Sequence, residues 1–149
     1  FTNAIASARY LTNQIYLNGS GVALGDVNGD DRPDVFVAGL AGGSALFLNL
    51  GDWRFTNVTR AAVTFPPSAT PLDASGCVLA DVTGNGALDL IFNTVAQGTW
   101  LLVNDGRGNF RPAGPALNGA RAGMSLAVAD VDGDGDLDLY VANYRPVSM

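Results

Sequence analysis

Apolar residues in this chain come in short bursts, not at helical spacing. Val22-Ala23-Leu24, Cys77-Val78-Leu79 and Leu126-Ala127-Val128 each run into a polar loop, and Val35-Phe36-Val37, Leu90-Ile91-Phe92 and Leu139-Tyr140-Val141 each leave one. All six bursts are too short for a helix and rich in β-formers, so the pattern predicts strand, loop, strand three times over. Ala45-Leu46-Phe47-Leu48-Asn49 and Trp100-Leu101-Leu102-Val103-Asn104 predict a third strand. Each is followed by a Gly-containing turn, Leu50-Gly51-Asp52 or Asp105-Gly106-Arg107-Gly108, that leads to Phe55 or Phe110 and a fourth strand.

This order is an internal repeat. Phe1-Thr2-Asn3 reappears as Phe55-Thr56-Asn57, Phe110 opens a looser third copy, and Asp26, Asp81 and Asp130 begin the polar loops, 55 and 49 positions apart. The units run over about 1–54, 55–109 and 110–149, the last truncated before any counterpart of the third strand. Four short strands in roughly 50 residues with Gly-rich turns are the cues for β-propeller blades. A parallel β-helix competes, but its coils are shorter. The expectation is an all-β fold of four-stranded antiparallel blades, about three of them present and the last incomplete, with about eleven strands. Closed propellers have roughly four to eight blades. The rest are therefore expected from the same chain, a second polypeptide or self-association.

Composition narrows the chemistry. All 14 acidic residues are Asp and all 8 basic residues are Arg, with no Glu, Lys or His among 149 residues. The loss of Glu and Lys removes good helix formers. The absence of His leaves the serines and Cys77 without an imidazole base, so Ser-His-Asp and Cys-His catalysis are excluded and an enzyme is not expected. Cys77 aligns with Val22 and Leu126 and reads as a small buried hydrophobe. No basic cluster exists to neutralise phosphates, which argues against nucleic acid. No run approaches the roughly 20 apolar residues of a membrane helix. Phe1 is not an initiator residue and no signal pattern follows it, so a mature, trimmed or partial product is expected.

Eleven of the 14 Asp lie in the three loops, and this localisation asks for cations. The third loop is the sharpest: Asp130-Val131-Asp132-Gly133-Asp134-Gly135-Asp136-Leu137-Asp138. Carboxylates at positions 1, 3, 5 and 9 and a backbone carbonyl at position 7, Asp136, make an oxygen cage for a hard divalent ion. Gly133 and Gly135 let the backbone turn tightly around it. The first loop keeps Asp26, Asn28, Asp30 and Asp34 at positions 1, 3, 5 and 9. It has Asp31 in place of Gly, and Arg32 at position 7 is expected to offer its carbonyl with its side chain turned outward. The middle loop has only Asp81 and Asp89 as carboxylates, with Thr83, Asn85 and Ala87 at positions 3, 5 and 7. Weaker binding, or an ion-free hydrogen-bonded turn, is expected there. Position 12, where an EF-hand places a bidentate Glu, holds Val37, Phe92 or Val141, so the cage joins strands and not helices. The alternative to metal is a set of solvated turns built from ordinary turn residues.

Asp-x-Asn/Asp-Gly-Asp-x-x-x-Asp before an apolar strand, then Leu-Phe-Leu-Asn and Gly-Asp-x-x-Phe, resembles the FG-GAP or VCBS type of repeat. Such repeats build the propeller head of integrin α chains and the secreted, cartilage-acidic-protein-like propellers of the UnbV-associated group. The resemblance covers essentially the whole chain. It implies a propeller of about seven blades, with calcium between the first two strands of a blade. It also implies an extracellular, cell-surface or periplasmic setting and a role in adhesion, binding or scaffolding. Carried onto this chain, the ligands are Asp26, Asn28, Asp30, the Arg32 carbonyl and Asp34, and Asp130, Asp132, Asp134, the Asp136 carbonyl and Asp138. Two to three calcium ions are expected.

Two further readings stay open: a carbohydrate-binding propeller, and a non-catalytic portion of a larger secreted enzyme. For sugar stacking the candidates are Trp53, Trp100, Tyr16 and Tyr140. Trp100 is the better exposed contact, because the other copy of its strand has Ala45 there. The segment Phe65-Pro66-Pro67-Ser68-Ala69-Thr70-Pro71 reads as a stiff surface connection.

Overall fold

The structure, a computed structural model, describes residue 16 and residues 20–41, 43–67, 71–119 and 121–144. The predicted start of the first unit, Phe1-Thr2-Asn3, lies outside the described residues. Ten strands are described, in three antiparallel sheets that each follow chain order. The first is β1 (Val22–Gly25), β2 (Asp34–Val37), β3 (Ala45–Asn49) and β4 (Phe55–Asn57). The second is β5 (Ala74–Ala80), β6 (Asp89–Thr94), β7 (Thr99–Asn104) and β8 (Phe110–Pro112). The third is β9 (Ala122–Ala129) with β10 (Asp138–Tyr144). The strands starting at Phe55 and Phe110 pair with β3 and β7, so the first and second sheets close across the positions where the sequence repeat starts over.

Alternation along the strands decides how the sheets stack. In the first sheet Ala23, Phe36 and Leu46 are buried, while Val22 and Leu24 on the opposite face are exposed. The buried side meets Cys77, Leu79, Leu90, Phe92, Trp100, Leu102 and Phe110 of the second sheet in one apolar core. Phe36 and Phe92 stack at its centre with ring centroids 6.5 Å apart. Removing rings of this size from water contributes about 1.5–3 kcal/mol each.

The first strands of successive sheets lie side by side: β1 packs on β5, and β5 on β9. Backbone and side-chain bonds stitch them, with Gly21 N–H donating to the Ser75 carbonyl at 3.0 Å and Ser75 Oγ to the Gly123 carbonyl at 2.6 Å. The approach is close enough to require glycine. A Cβ at Gly21 would lie 2.9 Å from the Cys77 nitrogen, and one at Gly123 would lie 2.4 Å from Asn93 Cγ. The result is a propeller-like succession of blades.

Two local expectations need correction. The segment 65–71, of which 68–70 lie outside the described residues, is not a plain surface connection at its start. A single helical turn, α1 (Thr59–Ala62), precedes a bridge from Val63 to Phe110, and Phe65 then turns inward to meet Phe92 edge-on at 6.2 Å. Trp100 is not an exposed contact; its register opposite Phe92 carries it against the core. Trp53 is the exposed tryptophan, at 95% of its free surface.

Candidate metal centre in the strand-connecting loops

Each Asp loop joins the first two strands of a sheet, and the carboxylates at its two ends fold it. At position 1 one oxygen accepts the N–H of position 6: Asp26 from Asp31 at 2.7 Å, Asp81 from Gly86 at 2.8 Å and Asp130 from Gly135 at 3.0 Å. At position 9 Oδ2 accepts the N–H of position 2: Asp34 from Val27, Asp89 from Val82 and Asp138 from Val131, at 3.1, 3.3 and 3.0 Å. The three loops thus share one backbone path before any ion is considered.

A second framework residue ties each loop to its sheet. Asn49 and Asn104 end the third strands, and their N–H groups donate to the other oxygen of Asp34 and Asp89 at 2.8 and 2.9 Å. Their side-chain carbonyls accept from Gly51 and Gly106, which holds the following turn. These two asparagines were not singled out by the sequence patterns, although both close the same apolar strand and sit two residues before a glycine. Asp34 and Asp89 are fully buried, whereas Asp138, with no described third strand beside it, is exposed.

The electrostatics follow. Burial pushes the Asp34 carboxyl above its usual range, and the Asp30 and Asp26 charges add to this, against the N–H bonds of Asn49 and Val27. For Asp26 burial also acts upward, but the N–H groups of Asp31, Asp30, Gly29 and Asn28 together outweigh it and hold the carboxyl below the usual value.

Positions 3 and 5 separate the loops. In the first, Arg32 does not turn outward: its Nη2 lies 2.6 Å from Asp30 Oδ2 and its Nε donates to the Asn49 carbonyl. Asn28 Nδ2 donates to the same Asp30 oxygen at 3.1 Å, so this carboxylate already has cationic and polar partners. In the middle loop the Thr83 hydroxyl donates to Asp89 Oδ2 at 3.0 Å, and Asn85 accepts from the Ala87 N–H at 2.8 Å. The third loop has five Asp. Among the described residues, no side-chain donor meets them, and oxygens of Asp130, Asp132 and Asp138 converge to within 4.8 Å of one another. No other three acidic side chains converge this way among the described residues. Asp134 Oδ1 accepts the Asp136 N–H at 2.9 Å, which folds the outer part of the loop beside that cluster. Converging, uncompensated carboxylates on a tight loop are a donor set that fits a hard divalent cation.

Comparison with known proteins places these loops in context. The chain is 28% identical over 144 residues to cartilage acidic protein 1 of Xenopus tropicalis, covering 88% of this chain and 22% of that protein. It is 27% identical over 157 residues to the mouse and human proteins of the same name, covering 96% of this chain in each case and 23% and 22% of those proteins. The chain therefore spans less than a quarter of the length of these relatives. The model of the FG-GAP-like repeat matches twice, over residues 26–92 and 81–141, each match starting at the first Asp of a loop and ending in the strand that follows the next. On this repeated match, the chain belongs to the FG-GAP-like repeat family.

Proposed function

We propose that this chain is part of an extracellular β-propeller of about seven blades whose Asp loops hold structural calcium, and that it works in binding, adhesion or scaffolding and not in catalysis. The observation that carries the calcium reading is the convergence of Asp130, Asp132 and Asp138 on an exposed strand-to-strand loop. There Asp130, Asp132, Asp134, the Asp136 carbonyl and Asp138 would hold the ion. Asp26, Asn28, Asp30, the Arg32 carbonyl and Asp34 would hold a second. Asp81, Thr83, Asn85, the Ala87 carbonyl and Asp89 form the weakest set, with two carboxylates. Calcium would supply positive charge and pin the two ends of the loop, so that strand pairing and ion binding reinforce each other. The relatives' greater length supports further blades beyond these three, and the family and relatives support a setting outside the cytoplasm.

Calorimetric titration of chelator-treated protein with calcium, against magnesium as control, tests the reading. At least one calcium site lost in Asp132→Ala is expected. No heat, together with a melting temperature unchanged by calcium, would overturn it.

A further inference from the structure

An Asn or Asp followed by Gly is chemically labile, because glycine has no Cβ to keep its nitrogen away from the preceding side-chain carbonyl carbon. The described residues hold six such pairs: Asn28-Gly29, Asn85-Gly86, Asp105-Gly106, Asn118-Gly119, Asp132-Gly133 and Asp134-Gly135. Asn18-Gly19 lies outside the described residues. In five of the six the attacking nitrogen is already engaged. Gly29 N–H donates to Asp26 at 2.8 Å and Gly86 N–H to Asp81 at 2.8 Å. Gly133 and Gly135 donate to Asp130 at 2.7 and 3.0 Å, and Gly106 donates to Asn104 Oδ1 at 3.1 Å. Attack requires this N–H to lose its proton, and a carboxylate bound to it opposes the negative charge that would form. The position-1 Asp that folds each loop thus also shields the loop's own labile pairs.

Asn118-Gly119 is arranged the other way round. It lies in the connection between β8 and β9, where Gly119 is exposed and, among the described residues, no group accepts its N–H. The Asn118 side chain is held instead: Oδ1 accepts the Thr99 N–H at 2.6 Å and Nδ2 donates to Asn143 Oδ1 at 3.2 Å. The bond from Thr99 falls on the oxygen that gains negative charge when a nitrogen attacks Cγ, so it stabilises the tetrahedral intermediate as an oxyanion hole does. Thr99 is fully buried, which keeps this donor in place. A free nucleophile beside a polarised side-chain carbonyl thus occurs at this pair alone among the described residues.

We infer that Asn118 is the residue at which the folded chain deamidates, and that the change loosens the connection between the second and third sheets. The Gly119 nitrogen gives its proton to hydroxide and bonds to Asn118 Cγ. The Cγ–Nδ2 bond breaks, and Nδ2 takes a proton from water and leaves as ammonia. Water then opens the succinimide at either carbonyl, leaving Asp or isoaspartate at position 118. Only water is consumed, and the inference stands apart from the calcium reading. Either product removes the donor to Asn143 and adds a negative charge. Isoaspartate also inserts a backbone carbon into a turn seated tightly on Gly98, where a Cβ would lie 2.2 Å from the Gly119 carbonyl oxygen and 2.9 Å from Asn118 Oδ1. The turn then loses its fit against the start of β7, where Leu117 N–H also donates to the Thr99 carbonyl at 2.8 Å.

Ageing the folded chain with chelator at mildly alkaline pH, then mapping its peptides by mass spectrometry, tests this. Asn118 should convert at least about tenfold faster than Asn28 and Asn85, whose glycines must first give up a bond to a carboxylate. In urea the three should convert at similar rates. Asn118→Gln, whose longer side chain cannot close the succinimide ring, should abolish the mass gain in that peptide. The aged fraction, separated by its added negative charge, should melt below the unaged chain. Folded protein in which Asn118 converts no faster than Asn28 and Asn85, a ranking that persists in urea, or a mass gain that survives in Asn118→Gln would each overturn the site. An aged fraction that melts together with the unaged chain would overturn the loosening.

Discussion

Asn104 reaches out of its own sheet: its side-chain amide donates to the backbone carbonyl of Val27, 77 positions earlier in the chain, at 2.8 Å. The same side chain caps the Leu88 carbonyl and accepts from Gly106 and Gly108, so one buried amide joins two sheets, a loop and a turn. Asn104→Ala leaves these groups unpaired inside the protein. A loss of about 2–4 kcal/mol in urea unfolding is expected, against about 1 kcal/mol for Asn49→Ala, whose side chain lacks the bond between sheets. Equal losses would mean that Asn104 acts only within its own turn.

Position 9 of the loops holds a buried carboxylate in the second sheet and an exposed one in the third. Asp89 has no exposed surface and accepts from Val82, Asn104 and the Thr83 hydroxyl, whereas Asp138 is exposed and accepts from Val131. With chelator present, Asp89→Ala should cost about 3 kcal/mol and Asp138→Ala under about 1 kcal/mol. Thermal melts of the two variants give the comparison directly.

The strands and their pairing were legible because the repeat supplied the same signal more than once. Val35, Leu90 and Leu139 stand in the same strand after the same loop, and period-2 burial does the rest. Other features depended on the neighbouring sheet. Trp100 is drawn inward by Phe92 across the ladder, and Phe65 by the same ring from a connecting segment; neither contact has a local sequence pattern. The Asp loops were legible as residue types, and their place between the first two strands of each sheet followed from the flanking apolar bursts. The fold of Arg32 back onto Asp30 was not, because it depends on the Asn49 carbonyl arriving from β3 to hold the guanidinium.

Cys77 illustrates how burial sets chemistry. Removal from water pushes its thiol up from 9.0 to about 11, only partly opposed by a backbone N–H bond from Ala38. At pH 8 about one thiol in a thousand is then ionised. Alkylation by iodoacetamide should run at least about 100-fold slower in the folded chain than in urea. The folded chain also holds this proton longer than the unfolded one. This group's contribution to stability is therefore fully present below pH 9.0 and falls as the pH rises toward 11. Rapid labelling at pH 8 under native conditions would contradict this burial.

Calcium should raise the melting temperature unequally through the three loops. An ion at 100 times its Kd stabilises the fold by about 2.7 kcal/mol per site. Asp130→Ala removes a member of the converging cluster and should abolish most of the calcium-induced shift, while Asp81→Ala should leave most of it. Equal effects in the two variants would remove the ranking of the loops.

Arg32 supplies the sharpest test of the first loop, because it occupies the carboxylate an ion would need. Its Nη2 is 2.6 Å from Asp30 Oδ2, and its Nε is anchored 2.9 Å from the Asn49 carbonyl. Arg32→Ala removes an exposed ion pair and one hydrogen bond, so the calcium-free protein should lose about 0.5–1.5 kcal/mol. The same change frees Asp30 and deletes the positive charge paired with it, so calcium should bind this loop more tightly and its melting shift should exceed that of the unmodified chain. The two effects have opposite signs, which distinguishes a guanidinium that competes with the ion from one that merely braces the turn. A variant destabilised to the same extent with and without calcium would assign Arg32 the bracing role alone.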